Sequence, residues 1–214
     1  VSNAESAAEF VPASRSLRTL RSAAAGCRGC PLWKDATQTV FGAGPRKARL
    51  VLVGEQPGDR EDREGEPFVG PAGGELARAL EAAGIERGDV YLTNAVKHFK
   101  WRPRGKRRLH QTPRVGEIEA CKPWLDAELE AIRPTGILAL GATAARSVFG
   151  SGMSVTKERG HLLESPLAPV AAVTIHPSAI LRLREHQERE DARAALVADL
   201  RQVAEAVAGA DERE

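Results

Sequence analysis

No stretch of this 214-residue chain approaches the ~20 consecutive apolar residues that a membrane-spanning helix needs. The N-terminus also lacks the basic-then-apolar pattern of a secretory leader. Three cysteines cannot all pair, so a disulfide framework is excluded and a reducing, cytoplasmic setting is expected. Internal repeats and low-complexity blocks are absent as well. What remains is ordinary for a soluble domain with a sizeable core: 42% apolar and 28% charged residues. The length suits one α/β domain over residues 15–208. Before it, residues 1–14 read as a tag remnant (Ser2-Asn3-Ala4) and a flexible segment, and residues 209–214 read as a C-terminal tail.

A net charge of +2 conceals a strong asymmetry. Between Lys97 and Arg114 lie eight basic residues and no acidic one, leaving 23 basic against 29 acidic residues elsewhere. Positive charge gathered into one segment indicates a polyanionic partner. Phe99 and Trp101 within it fit nucleic acid, where bases stack beside neutralised phosphates. Lys97, Lys106, Arg107 and Arg108 are the candidate phosphate contacts. By contrast, the Glu61-Asp62-Arg63-Glu64 run reads as a solvated loop.

Four short apolar runs each end in polar residues. Leu50–Val53 reaches Gly54-Glu55-Gln56-Pro57-Gly58-Asp59, Val90–Thr93 reaches Asn94, Ile137–Leu140 reaches Gly141, and Val170–Ile175 reaches His176-Pro177-Ser178. Helical spacing separates them, with apolar stripes over residues 16–25, 73–83, 116–132, 142–149 and 188–207. Alternating strands and helices predict an α/β/α sandwich around a parallel sheet of about four strands. In such sheets ligands bind beyond the carboxyl ends of the strands, so the four polar ends are expected to form one rim. Pro67-Phe68-Val69-Gly70-Pro71 is a stiff turn.

Cys27 and Cys30 form a Cys-x-x-Cys pair, and Cys121 is the remaining thiol. With His98 they supply three thiolates and an imidazole, a complete set for structural zinc or for an iron–sulfur cluster. Residue chemistry alone leaves both open.

Taken together, these motifs resemble the uracil-DNA glycosylase superfamily, and its family-4-like branch in particular. The resemblance runs from about Cys27 to Ile180. It rests on Gly54-Glu55-Gln56-Pro57-Gly58, Pro67-Phe68-Val69-Gly70, Thr93-Asn94-Ala95-Val96-Lys97, Leu140-Gly141-Ala142-Thr143-Ala144 and His176-Pro177-Ser178. Family-4 relatives hold a [4Fe–4S] cluster with four cysteines, which match Cys27, Cys30, position 98 and Cys121. Here position 98 is His98, so the resemblance moves the expected cofactor from zinc to iron–sulfur with one altered corner. Two departures, Gln56 in place of a small residue and the extended basic loop Gly105–His110, resemble the cross-linking UdgX subclass. There the histidine matching His110 attacks the sugar, and the protein stays joined to DNA.

The resemblance implies a uracil-DNA glycosylase-like fold, a three-layer α/β/α sandwich, acting on uracil-containing DNA, single- or double-stranded, as a monomer. Phe68 is then the expected stacking platform and Asn94 the reader of the uracil edge. His176 donates to the developing uracil oxyanion. Glu55 and Asp59 stabilise the sugar cation or steer a proton, and Gln56 positions a sugar or base edge. Ser178 grips a phosphate, and Gly54 lets the substrate approach. His110, with Arg107 and Arg108 disfavouring its protonation, captures the sugar at C1′ while Glu55 takes its proton. The rival expectations are a conventional hydrolytic glycosylase and a non-catalytic metal-containing nucleic-acid-binding module.

Overall fold

The computed structural model describes residues 6–14 and 16–211. Its centre is a five-stranded sheet in which β1 (Leu50–Gly54) lies between β2 (Val90–Asn94) and β5 (Gly136–Leu140). Beyond β5 come β7 (Val170–Thr174) and a two-residue edge strand, β6 (Leu162–Leu163). The first four pair in parallel, as the alternation of elements predicts, and β6 adds an antiparallel edge to β7. Two residues are too few to leave a period-2 signal, so this fifth strand is invisible in the sequence.

Each parallel strand is buried along its whole length, so its residues alternate between two covered faces rather than between core and water. Leu50 and Leu52 join Leu138 and Leu140 on one face. There they meet Leu76 and Leu80 of α3 (Pro71–Ala83) and Leu196, Leu200 and Val203 of α8 (His186–Asp211). Val51, Val53, Ile137 and Val173 face the other way, against Leu125 and Leu129 of α4 (Val115–Ile132) and Ala144 and Val148 of α5 (Ala142–Phe149). A third cluster gathers the cysteines with α1 (Leu17–Ala24) and Trp124.

Three expectations change. Within the segment expected to be flexible, Ala7–Phe10 forms a 3-10 turn with Ala7 buried in the third cluster. Helix α8 continues to Asp211, beyond the expected start of a tail. Glu61 and Asp62 lie on a short helix, α2 (Asp59–Glu64), and are buried rather than solvated. Positions 1–5, which include the expected tag remnant, and 212–214 lie outside the described residues.

The basic loop is also more ordered than its composition indicates. It folds into a hairpin of β3 (Trp101–Arg104) and β4 (Arg107–His110) that turns at Gly105. Cross-strand partners share a face. Trp101, Pro103, Arg108 and His110 therefore lie on one side, and Arg102, Arg104, Arg107 and Leu109 on the other.

Candidate active site

The strand ends meet as a rim. Gly54 closes β1 opposite Asn94 at the end of β2, Gly141 follows β5, and His176 stands two residues beyond β7. Because β2 and β5 flank β1 on opposite sides, the strand order switches direction at β1, where a parallel sheet places its binding crevice. Gly54 does not hold substrate through a side chain; it makes room. A Cβ at Gly54 would meet Asn94 Oδ1 at 2.4 Å and Phe68 Cζ at 2.6 Å. Asn94 is 3% exposed, so its amide is firmly seated.

Phe68 adopts φ +58°, an unfavourable backbone conformation for a bulky residue. Several contacts hold it there. The Glu61 carboxylate accepts from Gly70 N (2.7 Å) and Gly58 N (3.0 Å), while Arg87 donates to Phe68 O (3.2 Å). A Cβ at Gly73 would strike Phe68 O at 1.8 Å, so only glycine lets the turn close. The Phe68 ring lies near-parallel to the His176 imidazole, with centroids 6.4 Å apart. Phe68 is 6% exposed, so the strained turn holds a largely buried ring at the rim.

His176 caps the start of α7 (Pro177–Arg182), and its Nδ1 accepts from Ser178 N at 3.1 Å. Ser178 Oγ lies 2.8 Å from the same nitrogen and accepts from Arg182. With Nδ1 an acceptor, the proton of a neutral ring sits on Nε2 and is free to donate. Burial holds the imidazole down at about 4, with Arg182 and His110 adding to the effect against Glu55. His176 is thus a neutral donor at neutral pH. Ser178 is committed to orienting it and is no free phosphate grip.

Glu55 joins the two halves of the crevice. Oε2 accepts from Thr143 Oγ1 on α5 (2.6 Å), and Oε1 lies 3.0 Å from His110 Nε2. Burial alone would raise this carboxyl; hydrogen bonds from His110 and Thr143, with both imidazoles nearby, hold it below the ordinary carboxylate range. His110 itself is half-exposed, at 49%. Thr143 was missed as a functional residue, although it sits in one of the recognised motifs.

Gln56 does not face a sugar or base. It is buried, and its amide bonds backbone on both sides of the hairpin. Nε2 donates to Lys100 O (3.2 Å) and Gln111 O (3.0 Å), and Oε1 accepts from Lys100 N (3.0 Å). Lys100 precedes β3 and Gln111 follows β4, so Gln56 clamps the base of the arm that carries His110. No small side chain at position 56 could reach both.

Further expectations are corrected here. Asp59 is bound by Arg108 (2.5 Å) and Arg63 (3.1 Å) and has no contact with the crevice residues. Arg108 also grips Asp62 (2.6 Å) and lies over the rings of Phe99 and Trp101. It is a strut of the hairpin, not a phosphate contact. Arg107 projects from the opposite face to His110, so neither guanidinium is a free neighbour of that imidazole. Phe99 is 1% exposed and cannot stack on a base; Trp101 is pinned through its indole N–H to Asp35 O. Lys97 is fully buried and pairs with Glu128, which removes it from DNA contact. Lys106 and Arg107 remain exposed on the hairpin, together with Arg102 and Arg104. Leu181 is 45% exposed on α7, five residues beyond His176.

A model of the Uracil DNA glycosylase superfamily matches residues 41–201. The chain belongs to this superfamily. Its relatives include the Type-4 uracil-DNA glycosylase of Thermotoga maritima, 43% identical over 76% of this chain and 82% of that protein. The Type-4 uracil-DNA glycosylase of Archaeoglobus fulgidus is 40% identical over 77% and 84%, and that of Pyrobaculum aerophilum 38% over 78% and 85%. The matched span carries every rim residue described above.

The superfamily likeness makes the thiol cluster a candidate metal centre. Cys27, Cys30 and Cys121 are free and buried. Burial pushes Cys30 up to about 11 and Cys121 to about 12, with the neighbouring cysteines adding to the rise in both. His98 Nε2 lies 2.8 Å from Thr39 Oγ1, whose proton goes to Ala24 O. The imidazole therefore donates from Nε2, leaving Nδ1 a bare acceptor, buried and without a partner. An orphaned buried nitrogen, one residue along the chain from the amide that donates to Cys121 Sγ, has the right chemistry for a fourth donor to the three free thiols. Among the described residues, however, no three His, Cys, Asp or Glu side chains close on one point as a single ion requires.

Proposed function

We propose that this protein excises uracil from DNA and, as in the UdgX subclass, then retains the abasic sugar covalently through His110. The observation that carries the second part is the Glu55–His110 contact at 3.0 Å, on an arm that Gln56 clamps at both ends. Support for the first part is the superfamily membership together with a rim of Phe68, Asn94 and neutral His176.

The reaction follows from the groups in place. Taking a base from the stack costs a few kcal/mol, which the fitted pocket must return. Phe68 stacks on the flipped base, and Asn94 pairs with its O4 and N3–H edge. Leu181 suits insertion into the gap the base leaves. As the C1′–N1 bond breaks, both electrons leave on uracil, and the Nε2 hydrogen of His176 stabilises charge at O2. The Glu55 carboxylate lies where it can stabilise the sugar cation. The proton on His110 Nε2 passes to Glu55 Oε1 and bares the lone pair there. Nε2 then bonds C1′, and the proton held at Glu55 neutralises the departing uracil anion.

Cys27, Cys30, Cys121 and His98 would hold a [4Fe–4S] cluster. Its contribution when bound is a structural staple joining the N-terminal turn, the end of β2 and α4.

A denaturing gel of the protein with a uracil-bearing oligonucleotide tests this reading. A shifted band that His110→Ala abolishes, with uracil release retained, supports it. Uracil release with no shifted band from the unaltered protein assigns a hydrolytic glycosylase instead.

A further inference from the structure

The reaction above leaves one fully buried ion pair unused. Lys97, three residues beyond β2, and Glu128 on α4 both have 0% of their side chains exposed. Removing two charges from water is costly, and an apolar pair of the same volume holds a helix against a sheet at least as well. The pair therefore calls for an explanation beyond packing, and its partners supply one. The Lys97 ammonium donates to Thr93 Oγ1 (2.6 Å), to the backbone carbonyl of Asn94 (2.7 Å) and to Glu128 Oε2. All three of its protons are used. Glu128 in turn accepts from Thr93 Oγ1 (2.8 Å), Tyr91 Oη (2.9 Å) and Gly42 N (2.9 Å).

Four of these bonds reach β2, at Tyr91, Thr93 and Asn94. Asn94 is where the strand ends, so its carbonyl is held by an ammonium ion from below. Its side chain, meanwhile, is wedged against Gly54 with no room for a single added carbon. An amide that must match two positions on a flat base edge tolerates little displacement.

We propose that Lys97, held in place by Glu128, is a positioning residue for base recognition, locking the backbone of Asn94 so that its amide meets the uracil edge. The proposal rests on the reading of Asn94 as the residue that contacts uracil.

A mutant cycle tests it. Lys97→Met combined with Glu128→Leu removes both charges together, which avoids stranding one of them. Uracil release is measured under single-turnover conditions for this variant, for Asn94→Ala and for the combination, with thermal unfolding alongside. The expected result is a folded variant slowed roughly tenfold or more, with no further slowing on the Asn94→Ala background, because residues acting through one another are not additive. A purely structural role would slow both backgrounds equally. That result, or an unchanged rate in the folded variant, overturns the proposal. Should the charge-free variant not fold, Thr93→Val, which loosens the same anchor with both charges retained, goes through the same cycle and is judged the same way. If Asn94→Ala alone leaves the rate unchanged, the reading of Asn94 has failed, and the proposal with it; that outcome is visible in the single variant before the cycle is closed.

Discussion

Gln56 and His110 never touch, yet the first determines where the second stands. The Gln56 amide bonds Lys100 and Gln111, the residues that flank the hairpin, and His110 precedes Gln111 directly. Two departures from the family-4 pattern, one in the first motif and one in the basic loop, are therefore a single device.

Replacing that clamp should separate the two halves of the reaction. Gln56→Ala is expected to lower the yield of covalent complex roughly tenfold, the cost of losing buried hydrogen bonds to a positioned arm. Uracil release should fall far less. Quantifying both products from one reaction checks this, and an equal loss of both would contradict the clamp role.

The sequence made the four parallel strands and five longer helices legible, because strands buried on both faces give unbroken apolar runs and their covering helices carry wide apolar stripes. The candidate rim was legible too, since each polar end follows its strand directly. The partners of charged residues were not. Lys97, Arg108, Asp59 and Asp62 look alike in sequence as surface charges, and only tertiary contact shows three of these side chains mostly or wholly buried and all four paired. Hairpin β3–β4 was hidden for a related reason: Trp101 and Pro103 alternate with arginines over only four residues, and Leu109 is the one apolar residue of β4, too short a pattern to read.

Arg108 should matter for stability as much as for capture. Arg108→Met leaves the Asp62 carboxylate, which is 0% exposed, without its counter-charge. A loss on the order of 3 kcal/mol is expected for stranding a buried charge. Asp59→Ala, on a carboxylate 44% exposed, should cost much less. Denaturant unfolding of the two variants provides the comparison.

Salt dependence separates true phosphate contacts from buried cations. Arg107→Ala and Lys106→Ala should each flatten the plot of log affinity against log salt for single-stranded DNA, by about 0.7 per contact removed. Lys97→Met, carried with Glu128→Leu, should leave the slope unaltered. Fluorescence anisotropy over a salt series measures all three.

Acid should weaken the fold through His176. Its folded pKa of about 4 lies below the ordinary 6.5, so between those values the unfolded chain binds a proton that the folded chain refuses. Stability is therefore complete above about pH 6.5 and falls as pH drops toward 4. His176→Gln should make the decline shallower without abolishing it, as read from melting temperature between pH 7 and 4.

Donor loss at the thiol cluster has its own readout. His98→Ala and Cys121→Ala should reduce bound iron and broad visible absorbance in protein purified without oxygen. Thr39→Val should weaken retention less severely, since it frees the His98 ring without removing it.

Intact-mass spectrometry of the protein after incubation with a short uracil-bearing oligonucleotide addresses the covalent claim most directly. The account predicts a species equal to protein plus oligonucleotide minus free uracil, with the modification on the peptide containing His110. A protein of unchanged mass alongside released uracil, or an adduct mapped to any other residue, would contradict it.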